Sequence, residues 1–118
     1  MEKNLEVSTL LDFYADLLTE NQRQALSLYY NEDFSLAEIA ENQGITRQGV
    51  RDTIQKAQTQ LFELEKKVHL AQRFKYVEKN AQVILENAEK ILLSEDFDSI
   101  KILAIAIKNA AKSIQKEQ

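Results

Sequence analysis

The sequence predicts an all-α fold, and three observations carry that expectation. The 118 residues include no Pro and only two Gly, so helices meet few breakers and tight turns are scarce. Apolar residues recur at three- and four-residue spacing along almost the whole chain. No segment alternates polar and apolar residues for long enough to form a strand. A chain of this length fits one domain, or one small domain with an extension, and buries a real but modest core.

The elements follow in order. Val7, Leu10, Leu11, Tyr14, Leu17 and Leu18 fall on one helical face and predict a first helix over residues 8–18. Thr19-Glu20-Asn21-Gln22 has the form of a capping box, in which two side-chain oxygens accept from otherwise free backbone N–H groups. A second helix runs from there to about Tyr30 and stops at Asn31-Glu32-Asp33. Ser35-Leu36-Ala37-Glu38 is a second capping box and opens a third helix that ends near Asn42.

A fourth helix is predicted from Thr46. Val50, Ile54, Ala57, Leu61, Leu64, Val68 and Ala71 keep its apolar spacing far past the length of a bare recognition helix. The stripe shifts register near Val68 to Leu70. Leu70, Phe74, Val77, Ala81, Ile84, Ala88 and Ile91 then repeat at four-three spacing, as in a coiled coil, with Leu85 and Leu92 widening the seam. Ser94-Glu95-Asp96-Phe97-Asp98 is an acidic break, and a last helix is predicted over residues 99–114. Within it Ile102 and Ile105 lie off the Ile100–Leu103–Ile107 face, so apolar surface wraps more than one side. Such surface is uncommon on monomers. The expected organisation is a domain over residues 1–69 followed by a helical hairpin over residues 70–118. The hairpin docks on the first part, on a second copy as a homodimer, or on both.

Residues 36–55 read as a helix-turn-helix. Ala40 is small where a second helix must cross, and Gly44 stands where the turn needs positive φ. Ile39, Ile45, Val50 and Ile54 are expected to point inward and set the crossing. Thr46 can cap the second helix, which turns Arg47, Gln48, Arg51, Asp52 and Gln55 outward. Thr46, Arg47, Gln48, Arg51, Gln55 and Lys56 are therefore the candidate residues for contact with DNA or RNA. Arg pairs bidentately with guanine edges and Gln with adenine edges. Asp52 opposes this reading, since a carboxylate repels phosphate. Gly49 costs about 1 kcal/mol against Ala inside a helix; it either permits close approach to a backbone or is simply tolerated, the second being slightly favoured.

Charge qualifies the nucleic-acid reading. Residues 1–67 hold seven Lys or Arg against twelve Asp or Glu, a net of −5, whereas residues 68–118 hold eight against seven, a net of +1. Nucleic-acid binders draw most of their affinity from phosphate contacts. Here Arg47, Arg51 and Lys56 offer only a small basic patch, and monomer binding should be weak.

Other chemistry finds little footing. There is no Cys, hence no disulfide and no thiolate ligand, which fits a reducing cytoplasm. No basic-then-apolar leader opens the chain and no apolar run reaches a membrane span, so the expected location is cytoplasmic and away from the membrane. His69 is the lone His and has no partners for metal binding or general-base work. Tyr29 and Tyr30 could stack on bases, but such a pair at a helix end is read as half core, half surface. Glu63, Glu65, Lys66 and Lys67 read as a solvated face, and Glu95, Asp96 and Asp98 as a capped loop without calcium-loop spacing. With no phosphate-binding loop, nucleophile elbow or paired-carboxylate motif, neither enzymatic activity nor a cofactor or metal is expected.

A family resemblance joins these readings. Leu28-Tyr29-Tyr30-Asn31-Glu32-Asp33-Phe34-Ser35-Leu36-Ala37-Glu38-Ile39-Ala40, the run Ile45-Thr46-Arg47-Gln48-Gly49-Val50-Arg51-Asp52-Thr53-Ile54, and Lys66-Lys67-Val68-His69-Leu70 resemble the YlxM family. These are small bacterial helix-turn-helix proteins similar to the fourth region of sigma factors, and the resemblance covers roughly the first 70 residues. It implies a sigma-region-four-like bundle ahead of the hairpin. It also implies a gene beside that of the signal-recognition-particle GTPase and a regulatory part in that pathway, with particle components as partners. The chain departs from the family pattern after Val50, where Gln55, Gln58 and Gln60 accompany Lys56 alone. The alternative role is a protein-binding module that docks on the targeting GTPase or a transcription component without touching nucleic acid.

Overall fold

The computed structural model describes residues 2–116; Met1, Glu117 and Gln118, at the outer ends of the two predicted segments, lie outside the described residues. Among the described residues the fold is all-α: α1 (Leu5–Tyr14), α2 (Glu20–Tyr30), α3 (Leu36–Gln43), α4 (Arg47–Val68), α5 (Leu70–Leu93) and α6 (Phe97–Lys116), with a 3-10 turn at Ala15–Leu17. No helix among them is long and apolar enough to cross a membrane. The chain divides into two compact units between Ala71 and Gln72.

The first unit is built around α4, which packs on α1, α2 and α3. Val50, Ile54, Ala57 and Leu61, one stripe of α4, are fully buried. They join a core with Val7, Leu10, Leu11 and Tyr14 of α1, Ala25, Leu26 and Tyr29 of α2, and Ile39 and Ala40 of α3. Each large aliphatic side chain so buried contributes about 1.5–3 kcal/mol. Both capping boxes form. Thr19 and Gln22 exchange bonds of 3.2 and 3.1 Å, and Ser35 and Glu38 exchange bonds of 3.1 and 3.0 Å. The Ser35 backbone N–H, and after it the Ser35 hydroxyl, holds the Glu38 carboxyl below its ordinary range.

Two expectations about the first helix are corrected. It starts at Leu5, because Asn4 Oδ1 accepts from the Glu6 N–H at 3.0 Å and caps it there. It also ends at Tyr14, where the chain tightens into the 3-10 turn. That change of pitch swings Leu17 outward, 59% exposed, while Leu18 still reaches the core.

The register shift near Val68 is a true break. His69 takes a left-handed conformation, φ 56°, and its N–H donates to the Glu65 carbonyl at 2.7 Å. The start of α5 is then held by side chains. The Tyr14 hydroxyl donates to Glu65 Oε1 at 2.7 Å, and the Ala71 N–H donates to the same oxygen at 3.0 Å. The Leu70 N–H donates to the Tyr14 hydroxyl oxygen at 3.1 Å. Glu65 is thus a partly buried anchor and not part of a solvated face. Val68, expected in the buried stripe, turns outward at the break and is exposed.

The second unit contains the rest of α5 and all of α6. On α6, Ile100, Leu103, Ile107, Ala110 and Ile114 are buried or half-buried at three-four spacing, and Ile102 and Ile105 are exposed. On α5 the half-buried stripe is Val77, Asn80, Ile84, Asn87 and Ile91, with Ala88 beside it. This is a rotated version of the expected seam: Phe74 and Ala81 are exposed, and two Asn take inner positions. Those Asn tolerate the site because each amide donates to its own helix backbone, Asn80 to the Tyr76 carbonyl at 2.9 Å and Asn87 to the Val83 carbonyl at 2.7 Å. α6 begins at Phe97, two residues ahead of the prediction. Its start is fixed by Asp96, whose carboxylate accepts from the Ser99 hydroxyl at 2.6 Å and is held below its ordinary pKa chiefly by that bond.

Candidate nucleic-acid interface

The turn between α3 and α4 is built by three small residues. Gly44 closes α3 with φ +70°, and the Gly44 and Ile45 N–H groups both donate to the Ala40 carbonyl. A Cβ added at Gly44 would meet nothing within 4 Å, so the backbone angle, not space, requires glycine there. Ala40 is buried in the core that α3 shares with α4. Thr46 caps α4, its hydroxyl oxygen accepting from the Gly49 N–H at 3.0 Å.

Gly49 has a local reason that spacing alone does not supply. A Cβ there would lie 3.2 Å from Thr46 Oγ1 and 3.5 Å from Ile45 Cδ1, so glycine lets the cap close tightly. Replacing Thr46 with Ala should lower stability by about 1 kcal/mol. A thermal melt, with faster amide exchange at Gly49, checks this.

Thr46, Arg47, Gln48, Arg51, Gln55 and Lys56 are all exposed. With 3.6 residues per turn, Arg47 and Arg51 share one edge of α4, and Gln48 and Asp52 share the next, with Gln55 between. Lys56 lies about 100° beyond Gln55, at the margin of this face. Among the described residues Arg47 and Arg51 have no ion pair, whereas Lys3 is bound to Asp33 at 2.7 Å and Arg23 to Glu20. The two arginines therefore present uncommitted guanidinium groups. Gln48 is engaged: its Nε2 donates to Asp52 Oδ1 at 3.0 Å.

Other candidates are placed elsewhere. Ile45 is 46% exposed and does not join the core, because it sits in the turn between the left-handed Gly44 and the cap. Tyr29 is buried and meets Tyr30 edge-on at 5.2 Å. The Tyr30 hydroxyl oxygen accepts from Gln58 Nε2 at 2.8 Å and from the Asn4 N–H at 3.2 Å, so the tyrosine pair braces the bundle. Gln58 and Gln60 follow suit, Gln60 donating to the Leu17 carbonyl at 3.3 Å. Of the three glutamines Gln55, Gln58 and Gln60, two are thus committed to the bundle and not to the outer face.

A family model described as "Putative helix-turn-helix protein, YlxM / p13 like", UPF0122, matches residues 1–101. The chain belongs to this family. The match runs past the first 70 residues that carry the resemblance and into α6. Among curated family members, a UPF0122 protein of Clostridium novyi is 38% identical over 109 residues, spanning 92% of this chain and 95% of its own length. One from Clostridium kluyveri is 41% identical over 104 residues, 86% of this chain and 94% of its own. One from Halalkalibacterium halodurans is 42% identical over 96 residues, 81% and 88% respectively. Family membership and the α3–turn–α4 geometry agree on a helix-turn-helix.

Proposed function

We propose that the protein is a non-enzymatic, cytoplasmic helix-turn-helix regulator that lays the start of α4 in the major groove of duplex DNA. The observation that carries the reading is the pair Arg47 and Arg51, exposed, one turn apart and free of ion pairs among the described residues on the capped helix. A-form RNA has a major groove too narrow for such a helix, so RNA contact would need an irregular or single-stranded site. The resemblance adds the signal-recognition-particle pathway as the setting. Titration of labelled duplex at rising salt tests the proposal: the logarithm of affinity should fall steeply and linearly with that of salt. A flat response would rule out phosphate contact.

Weak contacts of this kind gain from pairing, and the apolar flank of α5 next to its half-buried stripe suits a second copy. Ala81, Leu85, Ala88 and Leu92 follow four-three-four spacing, with Leu85 52% and Leu92 85% exposed. Lys75, Gln82 and Glu89 flank them at seven-residue intervals. Two copies laid antiparallel about Gln82 place Lys75 opposite Glu89, both ways, with Leu85 one helical turn or less from the partner's Ala81 along the axis. Leu85→Asp with Leu92→Asp should convert a dimer to monomer in sedimentation while leaving helicity intact.

The acidic balance of residues 1–67 favours a second reading, a module docking on a basic protein surface of the targeting GTPase or a transcription component. Pull-down with and without nuclease separates the two, since only nucleic-acid-bridged partners are lost on digestion.

A further inference from the structure

Asp52 stands on the candidate recognition face as an unexplained carboxylate, and its surroundings give it a specific task. It is exposed on the second turn of α4, and among the described residues it has no ion pair, although Arg51 precedes it and Lys56 lies one turn on. Its carboxylate accepts from Gln48 Nε2 at 3.0 Å. That bond fixes the amide orientation, because a carboxylate cannot donate. It also restricts the Asp52 rotamer. Asp52 Oδ2 and Gln48 Oε1 accept from no other side chain among the described residues, so acceptors are left on an edge of the helix next to the donor edge made by Arg47 and Arg51.

A guanine–cytosine pair carries the complement. Its major-groove edge shows two acceptors, guanine N7 and O6, next to one donor, the cytosine N4 amino group. We infer that Asp52 accepts from the N4 amino group of a cytosine while Arg51 donates to guanine, so that Asp52, positioned by Gln48, sets the base preference of the helix. This rests on the duplex-binding reading above and deepens it. The apparent conflict with phosphate is then resolved by depth. A side chain on the groove-facing side of a recognition helix approaches the base edges, and the phosphates lie to either side, where Arg47 and Lys56, at the two margins of the face, can meet them. Carboxylates are poor phosphate ligands and good acceptors for cytosine, so a carboxylate at this position trades general affinity for discrimination.

The test is selection from a randomised duplex library with the full-length parent, Asp52→Asn and Asp52→Ala, each first confirmed by circular dichroism to be folded. Asp52 is exposed and bonded to Gln48 on its own helix, so both variants should fold. The parent should enrich a cytosine at one position by about 5- to 150-fold over other bases. Asp52→Ala should lose that preference alone, keeping the rest of the motif and the salt slope. Asp52→Asn should move the preference to adenine, because an amide pairs with adenine N6 and N7. If parent and both variants enrich the same motif, the assignment is overturned while duplex binding stands. It is overturned in the same way if Asp52→Ala merely tightens binding to every sequence, the mark of a repelling charge. If the parent enriches nothing and is not retained even at low salt, the duplex reading and this inference fall together.

Discussion

Ile54→Ala is expected to destabilise the first unit by about 2–5 kcal/mol, the range for emptying a fully buried aliphatic site. Ile54 is wholly buried at the middle of the α4 stripe, the helix on which α1, α2 and α3 all pack. The loss combines transfer of the side-chain carbons with a cavity that three surrounding helices cannot close. A domain of this size is stable by about 5–15 kcal/mol. The change therefore removes a large share of the total, and the melting midpoint should fall by about 10–30 °C. Leu17→Ala is the matched control: its side chain is turned outward by the 3-10 turn, and surface changes of this kind stay within about 0.5 kcal/mol. Thermal melts of the two variants side by side decide it. Equal midpoints would mean that α4 is not the central post of the bundle.

Much of this fold is legible in the sequence because its signals are local. The capping boxes at Thr19 and Ser35, the left-handed Gly44 and the Thr46 cap each depend on residues within four positions, and each forms. The buried stripe of α4 follows from periodicity alone, and with it the outward direction of Arg47 and Arg51. The failures occur where periodicity stops or distance intervenes. Leu17 and Ile45 sit in a 3-10 turn and an interhelical turn, where helical spacing does not define a face. Glu65 lies among charged neighbours and reads as solvated, yet its partner Tyr14 is 51 positions away in sequence. The α5 seam is misplaced for a different reason. A search for apolar residues passes over Asn80 and Asn87, whose amides are satisfied on their own helix and so can occupy inner positions. At the candidate interface, exposure is readable, but the Gln48–Asp52 bond is not, since either side chain could equally have faced water alone.

The double change Arg47→Ala, Arg51→Ala should abolish duplex binding without unfolding the protein. Both side chains are exposed and neither holds an ion pair among the described residues, so their removal leaves no buried charge and takes nothing from the core. Each guanidinium that reads a base bidentately contributes about 1–3 kcal/mol, and the pair therefore about 2–6 kcal/mol, or about 30-fold to more than 10,000-fold in affinity. If instead they meet phosphates, the salt slope should fall by about 0.9 for each phosphate left unneutralised. The two modes are separable in one experiment, a salt titration of parent and variant on the same duplex. A lowered affinity at unchanged slope assigns the arginines to bases, and a lowered slope assigns them to the backbone. Because the unit as a whole is acidic, few other cations can compensate, and this makes the expected loss large. Unchanged affinity and slope together would place any nucleic-acid contact elsewhere on the chain. They would also favour the protein-docking reading, in which the acidic balance of residues 1–67 meets a basic protein surface.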